Sequence, residues 1–378
     1  MGFTLSLRIV QIDYIPGMNL TPSVFKTRLK CARVMRGYSM SELCERIGNA
    51  VSKMTISKYE SGAMVPGEAT LKLLAEALEQ PLEYFSRPLS VHIDALKFRK
   101  GCRLRTKEIN AIQANVTDHL ERYLYIEEVC GNPPSHPHAK RKTVSSANDV
   151  IQTAADLRKE WNIGGEGIPN VIALLESRGF RIVEVDAPTT FDGMNAVAND
   201  AIDVIVLNRN FPAERKRLTA LHECAHALLR FAEGIDSKTE ESYCNLFASE
   251  MLISEEQLRD ALGTSRKQIS WREMVDLQQR YGISYDALMY KAHKCGIIND
   301  QSYKWFNIHK SKEPSYKAFV EHSRYRGFES SGRFEKLVYK AVYCDLIDYE
   351  QATDLLGYSP KEFPGSEHFT NDSQGGWM

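Results

Sequence analysis

No apolar run in the sequence approaches the roughly 20 residues that a membrane-crossing helix needs, so no membrane span is expected. No two of the eight cysteines (Cys31, Cys44, Cys102, Cys130, Cys224, Cys244, Cys295 and Cys344) form a Cys-x-x-Cys knuckle, which excludes a cysteine-rich zinc ribbon. Their scatter suits a reducing cytoplasm, where buried thiols act as small apolar side chains. The first residues lack a basic stretch followed by an apolar core, so no secretory signal is expected. Met1–Ser6 fits only the short, loose myristoylation pattern. Charge of one sign is also missing: 48 Lys/Arg face 49 Asp/Glu. This balance excludes a uniformly basic nucleic-acid coat protein but not one basic domain. Residues 24–107 hold 16 Lys/Arg against 8 Asp/Glu, many of them between Lys97 and Lys107, and a phosphate-binding surface is expected there.

What remains is an ordinary globular composition over 378 residues, enough for two or three domains, with no internal repeat. Residues 24–85 alternate helical periodicity with short breaks. Cys130–Ser146 is rich in Pro, Ser and charge and reads as a linker. Ala154–Trp161 and Ile168–Arg178 read as helices, and Phe180–Asp186 and Ile202–Asn208 as β-branched strands. Helices follow over about 214–231 and 239–252, then through 254–295 and 314–360. The polar tail 364–378 reads as disordered.

Ser39 can cap a helix running to Gly48, with Glu42 three residues on and Leu43 and Ile47 on its apolar face. A second helix, from Ser52 to Gly62, turns Ile56 and Tyr59 inward. That leaves Ser52, Lys53, Met54, Ser57 and Lys58 outward, near the end such a helix presents to the major groove. The run Ile56–Gly62, then Pro66, Thr70–Leu78 and Tyr84-Phe85, resembles the Xre/Cro-type repressor family, with two extra residues, Asn49-Ala50, in the turn. The resemblance implies binding to duplex operator DNA. A small helical domain used only for protein contacts is the competing reading.

Leu221-His-Glu-Cys-Ala-His226 contains HExxH. On a helix His222 and His226 share one face and can reach one cation, and Glu223 beside them can take a proton from metal-bound water. By chance such a motif arises in about one chain in a hundred of this length, so its surroundings decide its meaning. Leu229 and Ala232 stand where a metzincin needs Gly and His, which excludes that class. A downstream helix offers Glu241 as third ligand, with Asn245 one turn on to orient a histidine. Glu240 is the near alternative, and solvated helix charges are the bland one. Cys224 points to the other side of the helix and reads as packing. His136 and His138 read as solvated loop residues, and His293 as structural.

Residues from about 150 to 254 resemble the ImmA/IrrE family of zinc metallopeptidases. The pieces that carry this are Ala155–Trp161, Ile168–Ile172, Leu175–Gly179, Phe191–Gly193, Ile205–Asn208, Arg215, Arg217–His226 and Phe247-Ala248. The family pattern supports Glu241. Cys244 stands where alanine is usual and Ser254 where proline is usual, and neither is expected to touch the chemistry. Gly332–Val338 through Ala352–Gly357 resembles the C-terminal part of repressor–peptidase fusions of this family.

The expected fold is α+β and predominantly helical. A five-helix Xre/Cro-type domain precedes a zincin-like metallopeptidase domain with a small sheet and an HExxH helix, then a helical C-terminal segment. The expected divisions are an extension (1–23), the helix-turn-helix domain (24–87), a basic helical connector and linker (88–149), the peptidase domain (150–300), the C-terminal helices (301–363) and a tail (364–378). The function implied is a cytoplasmic, site-specific zinc endopeptidase. Glu223 is its base, His222, His226 and Glu241 hold Zn2+, and Asn245 stands behind them. Strand Ile202–Asn208 is expected to offer an edge for substrate backbone. The partners implied are operator DNA and a protein substrate, a repressor or antitoxin, in a stress, mobile-element, toxin–antitoxin or phage-defence setting; a homodimer is allowed, a membrane is not. The alternative is a DNA-binding regulator or antitoxin with a vestigial peptidase site.

Overall fold

The computed structural model describes residues 20–93, 104–131 and 141–357. The Met1–Ser6 pattern, His136 and His138, Cys102, most of the Pro-rich linker, Lys97–Arg103 and the tail lie outside them. The chain divides into two compact units, 1–90 and 91–378. No helix among the described residues is long and apolar enough to cross a membrane.

The first unit contains α1 (Pro22–Met35), α2 (Met40–Arg46), α3 (Lys53–Ser61), α4 (Glu68–Leu78) and a 3-10 turn over Leu82–Phe85. Its fifth segment is thus a single 3-10 turn rather than an α-helix. Ser39 and Glu42 form a reciprocal capping box at the start of α2, which satisfies two backbone donors that a helix start leaves open. Ser52 caps α3 and Gly62 ends it in the left-handed region. Phe25, Leu29 and Ala32 of α1 recur at helical spacing and meet Ile56 and Tyr59 of α3 and Leu71, Leu74 and Leu78 of α4 in one core. Phe85 closes that core against Phe25, with ring centroids 5.9 Å apart. Arg33 of α1 grips Glu60 of α3 through two nitrogens, at 2.5 and 2.9 Å, which fixes α3 at its C-terminal end.

The second unit begins with α5 (Thr106–Val129), β1 (Lys142–Val144), α6 (Ala147–Glu160), α7 (Val171–Ser177), β2 (Arg181–Val185), β3 (Gly193–Ala198) and β4 (Ile202–Asn208). It continues with α8 (Ala213–Leu228), β5 (Leu229–Phe231), α9 (Ser237–Leu252), α10 (Glu255–Leu262), α11 (Trp271–Tyr281) and α12 (Tyr285–Lys294). It closes with α13 (Asp300–Lys312), α14 (Pro314–His322), α15 (Arg333–Tyr343) and α16 (Tyr349–Leu356). The main sheet has the order β2-β4-β3, with β4 parallel to β2 and antiparallel to β3, and β1 pairs with β5 separately. β4 is therefore the central strand and not an edge, which overturns the expectation that Ile202–Asn208 receives substrate backbone. The sequence suggested otherwise because β3 is built from Gly, Met, Asn, Ala and Val and carries little strand signal.

Burial on both faces explains the apolar run Val204–Leu207 of β4, all of whose residues, the polar Asp203 and Asn208 included, are buried. Ile205 and Leu207 face the core shared with α8 and α9, while Val204 and Val206 face Ile112, Val116 and Leu120 of α5. The period of two sends alternate residues into the two layers. Gly193 is required where β3 passes α8: a Cβ there would lie 2.7 Å from Thr219 Cγ2 and from the Val206 carbonyl. Beyond β4, β3 is paired among the described residues only at Ala198, which bridges to Ile93. α8 packs on the face of β3 at Gly193.

Candidate metal centre

α8 and α9 lie against each other, and their contact carries the chemistry. Leu221, Cys224, Ala225 and Leu228 of α8 and Cys244, Phe247, Ala248 and Met251 of α9 enter one apolar core. α9 is capped by Asp236, whose carboxylate accepts from the Thr239 amide and hydroxyl and from the Lys238 amide, and these bonds hold its pKa below the usual carboxylate value. That start sets the register in which Glu241 and Asn245 project toward α8.

Two turns of α8 bring the histidines together, with His222 Nε2 and His226 Nε2 3.2 Å apart. Glu241 reaches over from α9, with one oxygen 3.3 Å from His222 Nε2 and the other 3.4 Å from His226 Nε2. The carboxylate that meets both rings is thus Glu241 rather than its neighbour Glu240. Zinc bonds of about 2.0–2.1 Å at tetrahedral angles place donor atoms about 3.3–3.4 Å apart. The histidine pair and each histidine–carboxylate contact come close to that length, with Glu241 offering a different oxygen to each ring, so the residues present fit a cation of this size.

The tautomer of His222 agrees. Its Nδ1 lies 2.8 Å from Asn245 Oδ1. An amide oxygen only accepts, so Nδ1 carries the proton and Nε2 keeps a bare lone pair toward the centre. The His222 side chain is 3% exposed and Glu241 37%, so the centre opens on the Glu241 side. Glu223 follows His222 and is buried.

Cys244 departs from expectation. Its Sγ lies 3.5 Å from His226 Nδ1, in contact with the chemistry it was expected to avoid. The signal was available: Cys244 stands three residues after Glu241 and one before Asn245, on the face that points at α8. His222, His226 and Cys244 also form a cluster with ligand atoms within 4.8 Å of one another. In the grouping with Glu241 both histidines meet the carboxylate through Nε2, whereas Cys244 meets His226 through Nδ1. Cys224 lies on the opposite side of α8, fully buried, and burial pushes its thiol pKa well up, as suits a packing residue. His293 pairs with Asp300 at 2.6 Å and stacks on Tyr303.

In the first unit, Ser52, Lys53, Met54, Ser57 and Lys58 are all exposed along α3, whereas Ile56 and Tyr59 are buried. Met54 is 70% exposed, an unusual amount for an apolar side chain in a helix this well packed. α3 thus presents two lysines, two hydroxyls and one apolar group on a single face.

Comparison with known proteins gives two family matches. Residues 29–85 match the helix-turn-helix model and residues 176–293 match the model described as the IrrE N-terminal-like domain, a peptidase family. No curated protein and no solved structure gives a match. The chain thus joins an Xre-type helix-turn-helix domain to a following ImmA/IrrE-like peptidase-family domain.

Proposed function

We propose that this protein is a zinc-dependent endopeptidase joined to a DNA-binding regulatory domain. The observation that carries this reading is the grouping of His222, His226 and Glu241: the two Nε2 atoms lie 3.2 Å apart, with one Glu241 oxygen 3.3 Å from the first and the other 3.4 Å from the second. These three residues would hold zinc, and three protein ligands are the number that leaves a position for water or substrate. When bound, zinc lowers the pKa of water to about 7 and polarises the scissile carbonyl. Glu223 takes the proton of the attacking water and hands it to the departing amine nitrogen. Asn245 keeps the proton of His222 on Nδ1 and so keeps Nε2 available. Substrate backbone adds to the edge of β3 away from β4, which among the described residues is bridged only at Ala198; the face of this strand packs on α8 at Thr219, one turn before His222.

Backbone recognition alone would admit many extended chains, so turnover must be restricted by docking. In this reading the substrate is a protein with its own Xre/Cro-type domain, a repressor or antitoxin. Pairing between helix-turn-helix domains would raise its effective concentration at the centre. α3 binds duplex DNA through Lys53 and Lys58, with Ser52, Met54 and Ser57 beside them.

Metal analysis of the purified protein tests the centre. Stoichiometric zinc is expected in the wild type and its loss in His222→Ala and Glu241→Ala; undiminished metal in both variants overturns the assignment. Co-expression of the wild type, or of Glu223→Gln, with each neighbouring gene product tests the substrate. New termini in one such protein, found by mass spectrometry with the wild type only, are expected. Cleavage of unrelated unfolded proteins at many sites would instead define a general protease.

A further inference from the structure

The two ring nitrogens of His226 face different partners. Nε2 points to His222 Nε2 and Glu241 Oε1, at 3.2 and 3.4 Å, while Nδ1 points to Cys244 Sγ at 3.5 Å. The nitrogens of an imidazole diverge across Cε1, so only one of them can address a given cation, and the partner of the other sets the tautomer. Seen from the grouped donors, Cys244 stands behind the ring. Its side chain is fully buried in the core between α8 and α9. The exposed side of the centre belongs to Glu241.

We propose that Cys244 is a positioning residue for His226, its sulfur accepting the Nδ1 proton and so leaving Nε2 bare toward the cation. This rests on the metal-centre reading above. The parallel with His222 supports it. Asn245 accepts from His222 Nδ1 at 2.8 Å, and Cys244, the preceding residue on α9, meets the same nitrogen of His226. Adjacent residues of one helix would thereby fix the tautomers of two ligands one turn apart on the other. A proton on Nε2 instead would point at His222 Nε2, which already presents a lone pair, and would block the centre. A ring held from behind has less freedom to turn away, which is why partners of this kind tune metal affinity. The rival arrangement makes Cys244 a ligand. It would turn Nδ1 of His226 to the cation and give up both Nε2 contacts.

The test uses the full-length protein and two readouts other than proteolysis. In competition with a chromophoric chelator, Cys244→Ala is expected to bind zinc about tenfold to a hundredfold more weakly than the wild type. Cys244→Ser, which restores an acceptor, is expected to recover much of the loss. The cobalt-substituted wild type is expected to lack sulfur-to-cobalt charge-transfer absorption, a readout that needs no variant to fold. Wild-type affinity in Cys244→Ala, or a charge-transfer band in the wild type, would overturn this inference and leave the metal centre standing. A wild type that binds no zinc would overturn both.

Discussion

Asn245 Oδ1 lies 2.8 Å from His222 Nδ1 and thereby ties α9 to the first histidine of α8. Asn245→Ala removes the acceptor and leaves the His222 ring free to change tautomer or to rotate. Zinc affinity is expected to fall about tenfold to a hundredfold, as partners behind metal-bound histidines do on removal. Chelator competition measures it. Asn245→Asp keeps an acceptor and is expected to lose far less. Equal affinity in Asn245→Ala and wild type would mean that packing alone orients His222.

Glu223 shares α8 with both histidines but in the proposed reading takes a different task. Glu223→Gln preserves shape and removes the basic oxygen, so the metal content is expected to stay at the wild-type level while cleavage falls by about a hundredfold or more. Parallel metal analysis and single-turnover cleavage separate the two effects. Full activity would show that another group takes the proton.

The α8 site was legible because HExxH is local. Helical spacing alone puts His222 and His226 on one face, and the same argument on the next helix paired Glu241 with Asn245. β4 was legible with its observed ends because burial on both sides selects the β-branched residues Ile202, Val204, Ile205 and Val206. The rest depended on contacts distant in sequence. β1 and β5 are three-residue strands that exist only as each other's partners, so α8 ends at Leu228 although Leu229-Arg-Phe231 suits a helix as well. β3 is held by pairing with β4 and by the small size of Gly193, and neither appears in a propensity. In the sequence Cys244 reads only as a replacement of the family's usual alanine, whereas its position on α9 points to the centre.

A buried ion pair supports the site from behind. Glu329 accepts from the Val171 and Ile172 amides at the start of α7, at 2.9 and 3.1 Å, and also pairs with Arg217 of α8. Neither side chain of the pair is exposed to solvent. Arg217 further donates to the carbonyls of Ile168 and Tyr281, at 2.7 and 3.1 Å. Glu329→Ala would strand a buried guanidinium and two helix-start amides. Breaking such a pair costs about 3–5 kcal/mol, so a clear shift of the urea midpoint at unchanged slope is expected. A shift within error would mean that water reaches Arg217 once the carboxylate is gone.

The last expectation concerns α3. Lys53 and Lys58 are exposed near Met54 and the hydroxyls of Ser52 and Ser57, on a helix whose other face is locked into the core by Ile56 and Tyr59. The Arg33–Glu60 pair fixes the helix end, so its exposed face is presented as a rigid surface rather than formed on binding. Lysines on such a face neutralise phosphates, and each phosphate contact releases condensed counterions. Affinity for duplex DNA from the protein's own promoter region is therefore expected to fall steeply with salt, with a log–log slope of about −0.9 per contact. In the full-length protein, Lys53→Ala with Lys58→Ala is expected to weaken binding and flatten that slope by roughly two if both lysines meet phosphate. If one reads a base edge, the slope changes by less and discrimination between the promoter and unrelated DNA relaxes instead. Titrations at several salt concentrations on both DNAs separate these outcomes. Absence of any salt-sensitive binding would make the exposed face of α3 a protein-docking surface and remove DNA from the account.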